Sequence, residues 1–185
     1  MKNEKLKAYA ASDVGIGRNS MMGESAEAHG RYRVECFDRD GNLKFTDVID
    51  NLVTTEGKND ALDKYLSGTS YTAAHYIGLI SATEYSAVAS TDKASSHSGW
   101  QEDTNYSQSA RPTAVFSAAA NGNKSLSTPL TFNITGTTTI KGCFLITSPT
   151  KGGNTGVLYS AGLFTGGDKA VSEGDTLTVS YTASL

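Results

Sequence analysis

Residues 31–53 read RYRVECFDRDGNLKFTDVIDNLV, and this stretch decides the fold. In its first half apolar residues alternate with charged ones, so that Tyr32, Val34 and Cys36 share one face, which is the period of a β-strand. The segment Asp38–Asn42 is a turn signal, in which Gly41 can supply a positive φ. Spaced apolar residues then return at Leu43, Phe45, Val48, Leu52 and Val53. The stretch therefore predicts a β-hairpin.

The segment after the hairpin predicts one helix, near residues 55–67. Thr54 or Thr55 can cap its start, and Glu56 suits the positive end of the helix dipole. Gly68 is placed to end the helix as the residue after its last turn. The apolar residues of the segment fall together on one helical face; they are Ala61, Leu62, Tyr65 and Leu66.

Beyond the helix, short apolar segments alternate with turn signals. The predicted strands are Tyr71–Ile80, Thr113–Ala118, Leu130–Thr135, Thr138–Thr147, Val157–Phe164 and Thr176–Ala183. A polar segment, 81–99, separates the first of these from the rest. Short strands joined by regular turns predict an all-β fold, an antiparallel β-sandwich or jelly-roll-like domain over residues 31–185.

Residues 1–30 differ from the domain that follows, because they show no hydrophobic period. They predict an extended N-terminal arm, either disordered or ordered by a partner surface. Its candidate interface anchors are Val14, Ile16, Met21 and Met22. The start, MKNEKLKAYAASD, lacks the apolar run of a signal peptide, and no run approaches the roughly 20 residues of a membrane span. We therefore expect no membrane contact.

Composition agrees with one domain plus an arm in a chain of 185 residues. Only 38% of the residues are hydrophobic, so we expect the monomer to be stabilised by contacts with other copies in a homo-oligomer. The net charge is −3 and the basic residues are scattered, which argues against direct binding of nucleic acid. Cys36 and Cys143 are expected to be buried free thiols in a reducing cytosol; a disulfide between them is the alternative.

Catalytic and metal-binding patterns are weak in this chain. The acidic turn that starts at Asp38 resembles the opening of a calcium loop, but the places of the required Gly and Glu hold Leu43 and Ile49. The three histidines have no metal-ligand spacing, and no nucleophile elbow accompanies His97. His75 lies in an apolar strand and is expected to be a core residue. The sequence predicts a protein that is not an enzyme and has no cofactor and no metal.

Trp100 is the one tryptophan, and it follows the long polar segment. It either folds back to cap the core beneath the loop or serves as an interface anchor, the role for which Trp, Tyr and Arg are enriched. Tyr106 and Arg111 are candidates for the same interface role.

Several segments together resemble a type of small structural protein of tailed-phage virions. They are ECFDRDGNLKFTDVIDNLVTTEGKNDALDKYLSG from Glu35, YTAAHYIGLI from Tyr71, DKASSHSGWQE from Asp92 and YSQSARP from Tyr106, with further matches around Lys141, Leu158 and Glu173. The resemblance covers about residues 31–185 and brings no set of catalytic residues with it.

The resemblance implies a capsid decoration, or cement, protein on the head surface of a virion, made in the cytoplasm of the host bacterium. Its partners would be the major capsid protein and copies of itself. A tail, collar or fibre-attachment component is the first alternative. A carbohydrate-binding module is more distant, because it needs exposed aromatic side chains on one face, and only Trp100 with Tyr106 offer them. An enzyme ranks last.

Overall fold

The computed structural model describes residues 27–67 and 74–185. Two antiparallel sheets pack face to face and one helix lies beside them, which confirms the prediction of an all-β sandwich; the sheets do not close into a barrel. Most of the predicted arm, with Val14, Ile16, Met21 and Met22, lies outside the described residues, as does Gly68. Among the described residues no helix is long and apolar enough to span a membrane.

The first sheet has five strands, with β1 and β12 at its centre. Strand β12 pairs with β1 along its whole length, from His29 opposite Ser184 to Phe37 opposite Thr176. The strands of this sheet are β1 (His29–Phe37), β2 (Leu43–Asp50), β7 (Asn123–Ser125), β8 (Leu130–Asn133) and β12 (Thr176–Ser184).

The second sheet has seven strands, several of them very short. They are β3 (Leu52–Val53), β4 (His75–Ser81), β5 (Glu102–Asp103), β6 (Thr113–Ala114), β9 (Thr138–Ile146), β10 (Leu158–Leu163) and β11 (Lys169–Val171). Strand β9 is the centre of this sheet, because β4 and β10 flank it on either side.

The predicted hairpin is present, and Gly41 has a φ of 85° in its turn. One part of the prediction is wrong. Leu52 and Val53 do not continue the hairpin but form β3, which pairs with Ser160 and Ala161 of the opposite sheet. The chain crosses between the sheets at Asn51, whose backbone N–H donates to the carbonyl of Gly30 at 2.9 Å.

The main core lies between the sheets and follows the period of the strands. In β1 the apolar face, with Tyr32, Val34 and Cys36, is fully buried, while Arg31 and Arg33 face outward. Cys36 and Cys143 are both buried and both free, as predicted. Burial, aided by the nearby charge of Asp175, raises the pKa of the Cys36 thiol to about 11.

The second sheet is also covered on its outer face. In β9, Cys143 and Leu145 point into the main core, whereas Phe144 and Ile146 point the other way and are buried as well. The segment between β4 and β5 covers this outer face, and the residues that do so are Ala94 and Trp100. We call the resulting cluster the outer core; it comprises Ile80, Ala94, Trp100, Phe144, Ile146, Leu158 and Ala161.

The predicted helix is present as α1 (Thr55–Ser67). Its N-cap is Thr54, whose Oγ1 accepts from the N–H of Gly57 at 3.0 Å. Gly57 lies against the backbone of Tyr159 so closely that a side chain there would collide with it. Glu56 Oε2 accepts from the N–H groups of Ala94 at 3.1 Å and Leu158 at 2.8 Å. These contacts attach the start of the helix to both sheet and loop.

The apolar face of α1 does not pack on the core. Leu62, Tyr65 and Leu66 are 56%, 79% and 72% exposed. A face of this kind normally turns towards a core, but here the apolar side projects outward. The covered parts of the helix are its first turn and the polar side chains of Asp60 and Lys64, which are 17% and 19% exposed.

Candidate functional site

The three predicted interface residues within the described part of the chain are all buried. Trp100 and Tyr106 are 2% exposed, and Arg111 is 3% exposed. A side chain covered by its own chain offers a partner almost no contact area. These residues therefore act on an interface only through the loops that they hold in place.

Trp100 anchors the cover of the second sheet. Its ring packs on Phe144 with the ring centroids 5.1 Å apart, and the His97 ring stacks on it at 4.1 Å. Its Nε1–H donates to Asp92 Oδ2 at 2.9 Å, so the buried indole N–H has a partner. His97 Nδ1–H donates to the carbonyl of Trp100 at 3.0 Å. The indole thus joins the middle of the covering loop, at Asp92, and its last part, at His97, to the sheet.

Arg111 forms a buried ion pair with Glu102, and both side chains are at most 5% exposed. Glu102 accepts from Arg111 Nε at 3.0 Å and from Arg111 Nη2 at 2.8 Å, an arrangement with two parallel bonds. The carboxylate also accepts from the Tyr106 hydroxyl at 3.2 Å and from the N–H of Gly152 at 2.6 Å. Burial, followed by the charge of Glu102, raises the pKa of Tyr106 well above its usual value.

The remaining donors of Arg111 reach the turn between β9 and β10. Nη1 donates to the carbonyl of Ser148 at 3.0 Å, and Nη2 donates to that of Gly153 at 2.8 Å. Each charge in this cluster is neutralised by its partner, and each oxygen of Glu102 already accepts two hydrogen bonds. The arrangement joins β5 and the loop after it to the β9–β10 turn, and it leaves the carboxylate no free position for proton transfer.

The aromatic pair on which the carbohydrate-binding alternative depends is not available to a sugar. Stacking requires an exposed ring face, and the Trp100 ring lies between His97 and Phe144. The Tyr106 ring packs edge-on against Phe132, with the ring centroids 5.1 Å apart. The ammonium group of Lys151 lies 4.3 Å from the centroid of the Tyr106 ring. Neither ring offers a binding platform in this conformation.

The acidic turn at Asp38 is held by hydrogen bonds of its own. Asp38 Oδ1 accepts from the backbone N–H groups of Asp40 at 2.9 Å and Asn42 at 2.8 Å, which is the geometry of an Asx turn. The side-chain amide of Asn42 also donates to both oxygens of Asp38, at 3.3 Å and 3.0 Å. This amide, followed by the backbone bonds, lowers the pKa of Asp38. Within the described ranges, 27–67 and 74–185, no group of three or more His, Cys, Asp or Glu side chains is placed to hold a metal ion.

A cleft of about 610 Å³ lies beside the start of β1, where the arm leaves the sandwich. Its two arginines are already engaged: Arg31 pairs with Asp50 and Arg33 with Glu35, each at 2.7 Å. Among the described residues that line the cleft, both arginines are therefore paired with a carboxylate.

His75 is packed between two aromatic rings at the start of β4. Its ring meets those of Phe116 and Tyr159 edge-on, at 6.4 Å and 5.9 Å. Burial lowers the pKa of His75; the charge of Asp60 opposes this shift and that of Lys64 adds to it. The prediction of a core residue is confirmed for the ring packing only, since His75 is half-buried and lies at the edge of the core.

This lowered pKa predicts that acid destabilises the fold. In the unfolded chain this residue takes up a proton at pH about 6.5, which is above its pKa in the folded state. The contribution of His75 to the free energy of unfolding is therefore complete above that pH and decreases as the pH drops below it. The loss is at most about 1.4 kcal/mol per pH unit for one proton. We expect denaturant unfolding between pH 7.5 and 5.5 to show a weaker pH dependence for His75→Phe than for the unaltered chain. Equal dependence in the two proteins would contradict the assignment, since His29 and His97 are common to both.

The feature that sequence reasoning missed is an exposed surface. Seven large apolar residues among the described ones are exposed, and six of them lie at the end of the sandwich where β1 starts and α1 is attached. Only Leu43 lies at the opposite end, beside Phe37. We call this surface the apolar end; it comprises Leu52, Leu62, Tyr65, Leu66, Val115 and Leu185.

Hydrogen bonds and ring contacts of neighbouring residues place Leu52, Leu185 and Val115 near the point where the arm leaves. Leu52 follows Asn51, which is bonded to Gly30, and Leu185 follows Ser184, which pairs with His29. Val115 precedes Phe116, whose ring centroid lies 6.2 Å from that of Tyr181. Tyr181 belongs to β12, the strand that pairs with β1. Exposed apolar groups concentrated in one region are typical of interaction surfaces. The sequence contained these residues, but only the topology places them together.

Searches against protein-family models and against curated proteins returned no match.

Proposed function

We propose that this protein is a structural component of a tailed-phage virion. It is a non-catalytic decoration protein that binds the outer surface of the head and stabilises contacts between major-capsid subunits. The observation that carries the proposal is the apolar end: six exposed apolar side chains lie at the end of the sandwich where a long N-terminal segment joins it. This arrangement suits attachment to a protein surface, because the sandwich and the N-terminal arm can both bind to the same surface.

The rest of the described chain supports a role in adhesion. Its buried charges, such as Glu102 and Arg111, are used in joining loops to the sheets. The resemblance of residues 31–185 to virion structural proteins supplies the biological setting. A protein that binds the intact shell more tightly than the broken one stabilises the shell by mass action. Many copies on one particle make weak individual contacts sufficient, because bound neighbours raise the effective concentration.

The proposal predicts the behaviour of particles that lack the protein. They should assemble but lose their genome at a lower temperature or under milder osmotic shock than complete particles. Purified protein added back should restore resistance. The variant Val115→Gln/Leu185→Gln should bind at least tenfold more weakly, because it removes apolar area from the apolar end. The control is Leu43→Gln, which alters an equally exposed residue at the opposite end and should bind normally.

A tail, collar or fibre-attachment role predicts a different outcome of the same experiment. Depleted heads would be as resistant as complete ones, while tail assembly or adsorption to the host would fail. Equal resistance of depleted and complete heads would therefore overturn the decoration role and favour the tail.

A further inference from the structure

The exposed face of α1 is a separate surface within the apolar end. Leu62, Tyr65 and Leu66 lie one helical turn apart or less, so their side chains form one stripe. The helix does not need this stripe for its own attachment, which Thr54, Glu56 and Gly57 provide at the other end. The stripe is therefore free to bind a partner.

The size of the stripe restricts the kind of partner. Three side chains expose a few hundred Å², in the range of functional patches on monomers. A stable contact between two rigid proteins needs roughly 800 Å² from each. A stripe of this size is better suited to a short apolar segment tethered to a neighbouring body, because the tether raises the local concentration of the segment.

The chain itself contains such a segment. Residues 1–26 precede the described structure, and they contain Val14, Ile16, Met21 and Met22. The chain enters the sandwich at the apolar end, since Gly30 is bonded to Asn51 four residues before α1. The arm therefore starts near the stripe.

The spacing of the anchors favours the stripe of a neighbouring copy. They lie 8 to 16 residues before Gly30, a reach of about 26 to 53 Å for extended chain. In the same chain the stripe is at most about 30 Å from Gly30, judged from the four residues to the helix and its rise of about 1.5 Å per residue. Met21 and Met22 therefore reach the stripe of their own chain, whereas Val14 and Ile16 extend beyond it and can meet the stripe of a neighbouring copy.

We propose that residues Val14–Met22 of one copy dock on the Leu62, Tyr65 and Leu66 stripe of a second copy. The sandwiches stand side by side, and each arm reaches the helix of its neighbour. Apolar burial drives the contact, and neither sandwich changes its fold. The contact between copies uses the stripe and the arm, and it leaves Leu52, Val115 and Leu185 of the apolar end for attachment to a capsid.

Sedimentation velocity of the purified full-length chain over a wide concentration range tests this contact. We expect self-association that the stripe variant Leu62→Gln/Tyr65→Gln/Leu66→Gln weakens at least tenfold. Glutamine is a good helix former, so the helix should persist, and circular dichroism checks this. The arm variant Val14→Ser/Ile16→Ser/Met21→Ser/Met22→Ser should weaken association equally. Leu43→Gln is the matched control and should associate like the unaltered chain.

A mixture of the two variants distinguishes a contact between copies from one within a chain. The stripe variant retains its arm and the arm variant retains its stripe, so the mixture should form heterodimers with one intact contact, although each variant alone associates weakly. An unaltered chain that stays monomeric at all concentrations would overturn the proposal, as would a mixture that associates no better than its components. Either result leaves the particle experiment with Val115 and Leu185 unaffected, so failure of the two proposals can be told apart.

Discussion

Replacing Arg111 with methionine is expected to lower the free energy of unfolding by about 3–5 kcal/mol. The substitution leaves Glu102 buried without its counter-ion, and an uncompensated buried charge is among the costliest single changes. It also removes the hydrogen bonds to Ser148 and Gly153, which hold the β9–β10 turn. Denaturant unfolding followed by circular dichroism measures the loss.

A double-mutant cycle with Glu102→Gln separates the loss of the pair from the loss of packing. The two single changes should together cost more than the double mutant does, because the second change removes the charge that the first leaves unpaired. Arg31→Met is the matched control: Arg31 and Asp50 form a pair at 2.7 Å, close to the 2.8 Å between Arg111 and Glu102, but both side chains are about two-thirds exposed. Little change is expected there. Strict additivity at Arg111 and Glu102 would contradict the coupling.

Trp100→Ala is expected to be similarly damaging, at about 3–5 kcal/mol, because it empties the centre of the outer core. It also removes the N–H that donates to Asp92, a residue that is 9% exposed. Trp100→Phe should cost less, since the benzyl ring fills part of the space and only the hydrogen bond is lost altogether. Denaturant unfolding of both variants gives the comparison.

Tyr65→Ala is the control for loss of an aromatic side chain, because Tyr65 is 79% exposed. It should leave the free energy of unfolding nearly unchanged while affecting the contact between copies. A stable Trp100→Ala protein that binds particles weakly would show instead that the indole acts at an interface, contrary to its burial.

The hairpin could be predicted from the sequence because its cause is local. Tyr32, Val34 and Cys36 must alternate with charged residues if one face of β1 is buried and the other exposed, and the turn residues lie between the strands. The crossing at Asn51 could not be predicted in the same way. Leu52 and Val53 continue the apolar pattern, and only their pairing with β10 assigns them to the other sheet.

The outer core is indicated in the sequence by two apolar runs. The runs YIGLI at 76–80 and CFLI at 143–146 are continuous rather than alternating. Runs of this type mark strands buried on both faces, which need a cover. The segment before Trp100 belongs to the cover, in agreement with the alternative in which Trp100 folds back to cap the core beneath the loop. In the helix the sequence determines less. The spacing of Leu62 and Tyr65 indicates one apolar face, but it does not determine whether that face packs on a core or is exposed.

The pairing of β1 with β12 bears on how foreign peptides could be displayed on this protein. Because His29 lies opposite Ser184, both ends of the sandwich chain emerge side by side at the apolar end. If the apolar end binds a capsid as proposed, a cargo fused to Leu185 would lie between the protein and that attachment surface. The tight turn at Gly41 lies at the far end of the same strands, and a side chain built at Gly41 meets no atom within 4 Å. An epitope inserted in that turn would face away from the attachment surface, which makes this turn, and not a terminus, the position for grafting.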